Sequence, residues 1–242
     1  MTTITTNRRN ITRWSLVGAI IMAVIAAALV IATTRGLAWA APGGPASSYW
    51  HIGYYAPSGR ALSMAAAPSA GSGNIAKVDF TTQDNTALLV TDNSGQFPSL
   101  LGNLTGKSVS ASFTVSGLNA GQTFTYYGEP DACGGTAVHA RYFFETSNAG
   151  GFDETHYWWS HPVAATLSAN GSVTLTSVPL TGANWSDYYG DFGVGDYAAG
   201  FNAAVSHVTM IGLSFGGGCF FENGVGTTDG SGSLTLNTFT VS

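Results

Sequence analysis

A strict alternation of apolar and polar residues marks the segment 108–116. Its odd positions are Val109, Ala111, Phe113 and Val115, and serine or threonine fills the even ones. Because successive side chains of a β-strand point to opposite faces, this period of two predicts an antiparallel strand with one face in the core.

Similar strand patterns recur about every ten residues after Ala76, the spacing typical of a β-sandwich. Turn sequences such as Ala169-Asn170-Gly171 separate them. We predict further strands over 123–127, 138–146, 155–160, 172–178, 207–215 and 233–241, with one helical turn over 201–205. The fold class predicted is therefore all-β, a two-sheet antiparallel β-sandwich.

The N-terminal segment 1–40 has the order of an export signal. Arg8, Arg9 and Arg13 precede an uncharged apolar run over 16–32, and Ala38 and Ala40 fit a signal-peptidase site. This favours a hydrophobic helix that is cleaved after Ala40. The run also reaches the lower limit of about 17 residues for a membrane span, so an uncleaved anchor is the alternative. Both readings place the remaining chain outside the cytoplasm, secreted or tethered to the membrane.

The rest of the chain divides into two parts by composition. Residues 41–75 are rich in Pro, Gly, Ala and Ser, and we expect a linker and an irregular segment there. Residues 76–242 carry the strand patterns and form the predicted β-sandwich domain. Hydrophobic residues at 45% and aromatic residues at 12% supply enough core material to exclude disorder.

The charge of the exported part limits its partners. Of the chain's 13 acidic and 8 basic residues, every acidic one lies beyond Ala41, whereas four basic ones lie in the leader. The exported part therefore carries 13 acidic against 4 basic residues, a net charge of −9. Nucleic acids and anionic membrane surfaces need a basic footprint, so we expect neither as a partner, and membrane contact only through an uncleaved leader.

Cys133 and Cys219 are the two cysteines of the chain, and each lies next to glycine. Outside the cytoplasm two cysteines usually pair, so we predict a disulfide between two loops. By the chain-entropy estimate this bond contributes about 4 kcal/mol. The alternative, a metal site, lacks a third cysteine or a neighbouring histidine.

Three stretches resemble the galactose-binding-like jelly roll used by many extracellular carbohydrate-binding modules. They are the early strand 104–113, the strand and turn 178–186, and the penultimate strand 208–218, which is followed by 230–236 leading into the last strand. The resemblance lies in apolar alternation and glycine placement, and it implies fold more than ligand. Many such modules hold a structural calcium ion near their terminal strands, which makes Asp79 and Asp229 candidate ligands here. We predict no other cofactor.

Aromatic residues cluster in His156-Tyr157-Trp158-Trp159 and again in 185–189. An exposed aromatic ring can cover the apolar face of a sugar while polar groups bind its hydroxyls. Trp158, Trp159, Trp185 and Tyr188 are therefore candidate ligand-binding residues. Adjacent strand residues face opposite ways, so at most one of Trp158 and Trp159 lies in the core. The alternatives are a ring that only covers a loop and, for Trp185, packing in the core.

Arg141 and Glu145 share one face of the strand predicted over 138–146, together with His139 and Phe143. A face that mixes a cation, an acid and an aromatic ring suits a polar ligand. A solvated sheet with a cross-strand ion pair explains the same pattern. Arg141 and Glu145 are therefore candidate ligand-binding residues as well.

No catalytic residue is predicted. Asp153, Glu154 and His156 lie close in sequence, but sequence neighbours rarely face each other as a glycosidase requires, which favours a polar loop. The nucleophile elbow, the zinc-protease helix motif and the phosphate-binding loop are absent from the sequence. We expect a non-catalytic module that binds carbohydrate or another cell-surface polymer. The alternatives are a self-associating surface protein and a polysaccharide hydrolase with acids from Asp153, Glu154, Asp187 or Asp191.

Overall fold

The computed structural model describes residues 46–55, 62–71, 73–82, 85–126, 137–147, 153–161, 165–217 and 223–242. The predicted export segment 1–40 with its helix, and both Cys133 and Cys219, lie outside the described residues. Among the residues described, no helix is long and apolar enough to cross a membrane.

Strands form most of the described chain. They are β1 (Ala46–Tyr55), β2 (Leu62–Pro68), β3 (Ala76–Thr81), β4 (Asn85–Thr91), β5 (Ser108–Ser116), β6 (Phe124–Tyr126), β7 (His139–Thr146), β8 (Tyr157–Ser160), β9 (Ala165–Thr166), β10 (Gly171–Pro179), β11 (Trp185–Ser186), β12 (Val208–Gly216), β13 (Val225–Thr227) and β14 (Ser231–Val241). The helical elements are the 3-10 turns η1 (Glu154–His156), η2 (Gly182–Asn184) and η3 (Gly195–Tyr197), and the helix α1 (Ala198–Val205). The strands and the helical turn predicted after Ala76 are confirmed to within a few residues.

The strands form two antiparallel sheets, as the alternation predicts. The larger sheet has the order β11-β8-β7-β12-β4-β1-β2, with β9 beside β7, β13 beside β4 and β6 beside β13. The smaller sheet has the order β10-β5-β14-β3. In β5 the valine, alanine and phenylalanine positions are buried and the hydroxyl positions are not, which confirms the predicted strand.

Aromatic side chains join the facing sides of the two sheets. Trp50 of the larger sheet meets Phe239 of the smaller one at 5.5 Å between ring centroids. Phe80 meets Phe215 across the same space at 5.6 Å. The Tyr142 hydroxyl donates to the Leu175 carbonyl at 3.3 Å. The main core therefore lies between the sheets, where each fully buried aromatic side chain contributes about 1.5–3 kcal/mol.

A second apolar cluster lies on the other face of the larger sheet. Its buried members are Ala87, Leu88, Val90, Phe143 and Trp159. Partly buried Tyr55, Leu62, Tyr157, Tyr188 and Met210 pack against them. The larger sheet therefore has apolar material on both faces, unlike the smaller sheet with its polar outer face.

The expectation of an irregular segment over 41–75 is wrong where β1 and β2 lie. Strand β1 pairs with both β2 and β4, and Trp50 in it is only 1% exposed. A side chain at Gly53 would approach the Leu88 Cβ at 3.0 Å and the Met64 Sδ at 3.1 Å. The small residues here serve close packing between strands, which composition alone does not distinguish from a linker.

Helix α1 packs one face onto the edge of the core. Its buried residues include Phe201, whose ring centroid lies 5.0 Å from that of Trp158 and 6.0 Å from that of Phe144. A Cβ at Gly193 would lie 2.6 Å from Phe201, and one at Gly200 would lie 2.8 Å from Thr155. Because no side chain fits at these two glycines, η1, α1 and the loop after β11 pack closely against one another.

Candidate functional site

The alternation predicted for β7 is confirmed. Ala140, Tyr142 and Phe144 belong to the main core, whereas Phe143 belongs to the cluster on the opposite face. Arg141, two residues before Phe143, therefore points to the outer face of the larger sheet.

Arg141 is nevertheless only 8% exposed. Its Nη1 donates to the Ser160 carbonyl at 3.0 Å. Burial lowers the pKa of Arg141 to about 10, so the guanidinium stays charged at neutral pH. Burial, and then the nearby Arg141 charge, lower the pKa values of His139 and His161. Arg141 thus links β7 to β8 rather than offering a cation on an open surface.

Glu145 lies farther along the same face of β7. Burial, and secondarily the charge of Asp92, raise its pKa to about 7. Asp92 itself lies 3.3 Å from the Nε2 of His51. Neither ion pair found among the described residues includes Glu145, so the cross-strand pair considered for it is not seen there.

The three tryptophan candidates are buried, and the expectation of an exposed tryptophan platform is wrong. Trp158 and Trp185 are 0% exposed and Trp159 is 4% exposed. Trp158 and Trp159 do face opposite ways, into the main core and the outer cluster respectively. Because the outer cluster covers Trp159, pointing away from the core does not expose its ring. The core alternative for Trp185 is confirmed.

An exposed aromatic ring occurs instead in the loop after β11. Tyr189 is 54% exposed, and its ring centroid lies 5.5 Å from that of Tyr188 in an edge-to-face arrangement. Tyr188 is partly buried and lies 6.3 Å from Trp159 between ring centroids. Tyr188 therefore joins the exposed ring to the outer cluster.

Asp187 sets the course of this loop. It is 2% exposed, and its Oδ1 accepts the backbone N–H groups of Tyr189 at 2.9 Å and Asp191 at 3.0 Å. Its Oδ2 is buried without a hydrogen bond. Burial raises the pKa of Asp187, the two backbone hydrogen bonds partly lower it, and the charges of Asp191 and Glu154 raise it again.

The charges of Glu154, Asp187 and Asp191 act on two tyrosines, Tyr189 and Tyr197. A hydrogen bond to Asp191 is the main cause that raises the pKa of Tyr197. Burial, and then Glu154 and Asp187, raise the pKa of Tyr189. We call Glu154, Asp187, Tyr189, Asp191 and Tyr197 the tyrosine–carboxylate patch.

The fourth acid considered for catalysis has a local structural role. Asp153 caps η1, and its Oδ1 accepts from the Thr155 backbone N–H at 2.8 Å and hydroxyl at 2.7 Å. These hydrogen bonds lower the pKa of Asp153.

Sequence reasoning missed Tyr189 and Tyr197 as site residues. The available signal was the turn sequence Asp187-Tyr188-Tyr189-Gly190-Asp191. Aspartate and glycine favour turns, and such turns leave the side chains between them exposed.

A shallow pocket of about 220 Å³ lies between η1 and α1. It is lined by Thr146, Ser147, Thr155, His156, Gly200, Ala203, Ala204 and His207. The His207 Nδ1 lies 2.7 Å from the Ser206 hydroxyl, and the buried His156 Nδ1 has no hydrogen bond. The volume is smaller than the roughly 300–1,000 Å³ of typical small-molecule sites.

The calcium candidates do not form a cation site in the part of the chain that is described. The Asp79 Oδ1 accepts from the Ser233 hydroxyl at 2.5 Å and lies 2.8 Å from the Lys77 Nζ. Asp229 lies in the exposed turn between β13 and β14. No group of three or more metal-ligating side chains occurs among the described residues. Calcium prefers six or more oxygen ligands, so these two aspartates do not fit it.

No protein-family model, curated protein or solved structure matches this chain. No relative therefore supplies a ligand or a reaction for it. The tyrosine–carboxylate patch is the surface feature from which we infer a function, because an exposed ring and several carboxyl groups meet there.

Proposed function

We propose that this chain is an exported, non-catalytic module that binds carbohydrate through the tyrosine–carboxylate patch. One observation carries the proposal: the half-exposed Tyr189 ring lies on a loop that buried Asp187 holds by accepting the backbone N–H groups of Tyr189 and Asp191. A sugar presents an apolar C–H face edged by hydroxyl groups. The ring covers the face, and the carboxylates accept hydrogen bonds from the edge.

Each member of the patch has a separate part in this proposal. Tyr189 stacks on the sugar ring, and Glu154 and Asp191 accept its hydroxyl groups. Asp187 positions Tyr189 and Asp191 by binding both of their backbone N–H groups. Tyr197 orients the Asp191 carboxylate through its hydroxyl. A loop held in this way loses little conformational entropy on binding.

The charge of the patch and of the whole exported part favours a neutral glycan. Anionic polymers are repelled by the net charge of −9, and the patch places the carboxyl groups of Glu154 and Asp191 at the contact. A neutral polysaccharide of the cell surface is therefore the preferred partner class.

The location and the finer fold belong to the same proposal. The order of charges and apolar residues in 1–40 supports export, and export supports a Cys133–Cys219 disulfide. Two antiparallel sheets, with neighbours distant in sequence such as β5 and β14, support a jelly roll of the galactose-binding-like kind.

A glycan-binding screen with the folded full chain tests the function. We expect binding to a neutral polysaccharide and a loss of about tenfold or more in affinity for Tyr189→Ala, the size typical of an aromatic anchor. Tyr49→Ala is the matched control. Tyr49 is 40% exposed but lies on β1, five strands from β11 in the larger sheet.

Two results would contradict this function. Absence of binding to every neutral glycan would remove carbohydrate as the partner and favour self-association. Equal losses for the two tyrosine variants would remove the patch as the site.

A hydrolase is the second candidate, because burial and two neighbouring acids raise the pKa of Asp187. Release of reducing sugar that Asp187→Asn abolishes would establish it instead.

A further inference from the structure

The pocket between η1 and α1 lies directly beside the tyrosine–carboxylate patch. Glu154 belongs to the patch, and the next two residues of η1, Thr155 and His156, line the pocket. On the other side, Tyr197 of the patch ends η3, and α1, which begins at the next residue, lines the pocket. The same two segments of the chain therefore contribute to both the patch and the pocket.

Close packing fixes the two walls of the pocket. A Cβ at Gly200 of α1 would lie 2.8 Å from the Thr155 side chain, so the helix approaches η1 as closely as only glycine allows. The Trp158 ring, which follows η1, packs on Phe201 of α1 at 5.0 Å between ring centroids. The Trp158 Nε1 also donates to the Thr155 carbonyl at 2.6 Å. A pocket with walls held in this way loses little conformational entropy when a ligand enters.

Two hydroxyl groups among the lining residues are left as hydrogen-bond acceptors. The Thr155 hydroxyl donates its proton to the Asp153 Oδ1 at 2.7 Å. The Thr146 hydroxyl donates its proton to the His207 carbonyl at 2.7 Å. Because each hydroxyl has a single proton, only the lone pairs of these two oxygens are available to a ligand.

The His207 ring supplies a third acceptor. Its Nδ1 lies 3.3 Å from the Ala203 carbonyl and 2.7 Å from the Ser206 hydroxyl. That hydroxyl itself donates to the Ala203 carbonyl at 2.8 Å, so both neighbours of Nδ1 are acceptors. Nδ1 therefore carries the proton of the neutral ring, and Nε2 keeps its lone pair.

These acceptors suit a small neutral ligand with several O–H groups. The described residues that line the pocket include no carboxylate, lysine or arginine, and α1 contributes the small residues Gly200, Ala203 and Ala204 to it. Sugar hydroxyl groups can donate to the three acceptors, and the sugar C–H groups can contact the small residues. The volume of about 220 Å³, below that of sites for drug-sized ligands, suits a single sugar ring.

We propose that the pocket binds a second unit of the polysaccharide that the patch holds, so that the ligand is a sugar chain and not a single sugar. This inference rests on the function proposed above. Glu154 and Thr155 are consecutive in η1, so one continuous chain can reach both places. Once the first unit is bound, the second is tethered near the pocket at a high effective concentration.

Oligosaccharides of two and six units, prepared from the neutral polysaccharide that the full chain binds, test the inference by titration calorimetry. We expect the six-unit chain to bind about tenfold more tightly, the effect of one to three added neutral hydrogen bonds. Ala203→Leu fills the pocket and should abolish this difference, with the affinity for two units unchanged. Asn202→Leu is the matched control, at an exposed residue of α1 outside the pocket, and should keep the difference.

A second variant removes an acceptor instead of filling the pocket. His207→Ala should lower the affinity for six units but not for two, because it deletes the Nε2 lone pair. Tyr189→Ala should weaken the binding of both lengths, since it removes the ring at the patch. Circular dichroism of each variant establishes that it is folded before the titration.

The outcomes separate this inference from the function on which it rests. Equal affinity of the unmodified chain for two and six units would overturn the second sugar site and leave binding at the patch in place. A length difference that Ala203→Leu and His207→Ala both retain, or that Asn202→Leu also loses, would overturn it as well. Failure of the proposed function differs from these results, because no oligosaccharide of either length would then bind.

Discussion

Replacement of Glu145 by glutamine should stabilise the protein at neutral and alkaline pH. Glu145 lies on the outer face of the larger sheet, where burial and the Asp92 charge raise its pKa from 4.5 to about 7. As pH rises from about 4.5 to 7, the unfolded chain releases a proton that the folded chain retains. Stability therefore falls through this window, and above it the folded protein carries the full cost of a partly buried carboxylate.

The size of this cost follows from the two pKa values. A shift from 4.5 to about 7 corresponds to about 3 kcal/mol at 1.36 kcal/mol per pH unit. Glu145 is partly exposed and solvent screens part of the cost, so we expect a gain of about 2–3 kcal/mol for Glu145→Gln at pH 8. In a domain of this size that gain raises the melting temperature by about 4–12 °C.

Thermal unfolding of the parent and Glu145→Gln at pH 4 and pH 8 measures the effect. The difference between the two proteins should be near zero at pH 4 and largest at pH 8. Asp229→Asn, in an exposed turn, is the control and should change the melting temperature little at either pH. A Glu145→Gln difference that is the same at both pH values would refute the linkage, because a shifted proton equilibrium must produce a pH-dependent one.

Two further substitutions test the packing of the larger sheet. Trp159→Ala should lower the free energy of unfolding by about 3–5 kcal/mol in urea titrations, since the ring is buried in the outer cluster. Tyr189→Ala, at an exposed ring, is the control and should lower the free energy of unfolding by about 0.5 kcal/mol. Comparable losses for the two variants would refute the burial of Trp159. Gly212→Ala should cost about 2–3 kcal/mol or prevent folding, because the new Cβ would collide with the Leu89 carbonyl oxygen and the Val90 Cα. Gly95→Ala, whose Cβ meets only the Asn93 side chain at 3.4 Å, is the control, and equal stability of the two variants would contradict the close approach of β12 to β4.

Strands that are half buried could be predicted from the sequence. In β5 and β14 apolar and hydroxyl residues alternate, because one face meets the core and the other meets water. Strand β4 is buried at six of its seven positions, so it has no such period. Strand β1 was missed, although Trp50 and its aromatic neighbours were a strand signal, because the small residues around them suggested a linker.

The sequence indicated the loop that carries the candidate site but not the residues exposed in it. The aromatic cluster near 185–189 indicated the correct loop, yet Trp185 is in the core and the exposed ring belongs to Tyr189. Glu154 is more than thirty residues from Asp187, so their proximity depends on η1 packing beside the loop after β11. No local sequence pattern predicts that Glu154 and Asp187 lie near each other.

The sequence by itself determined the mostly β class, the antiparallel pairing, the outward face of β5 and the opposite orientations of Trp158 and Trp159. These features follow from the two-residue period of a strand, which is local. The tertiary structure decided what covers each face. A second apolar cluster on the larger sheet buries Trp159, and an aspartate-held loop exposes Tyr189. Exposure depends on elements that are distant along the chain, and therefore no local period determines it.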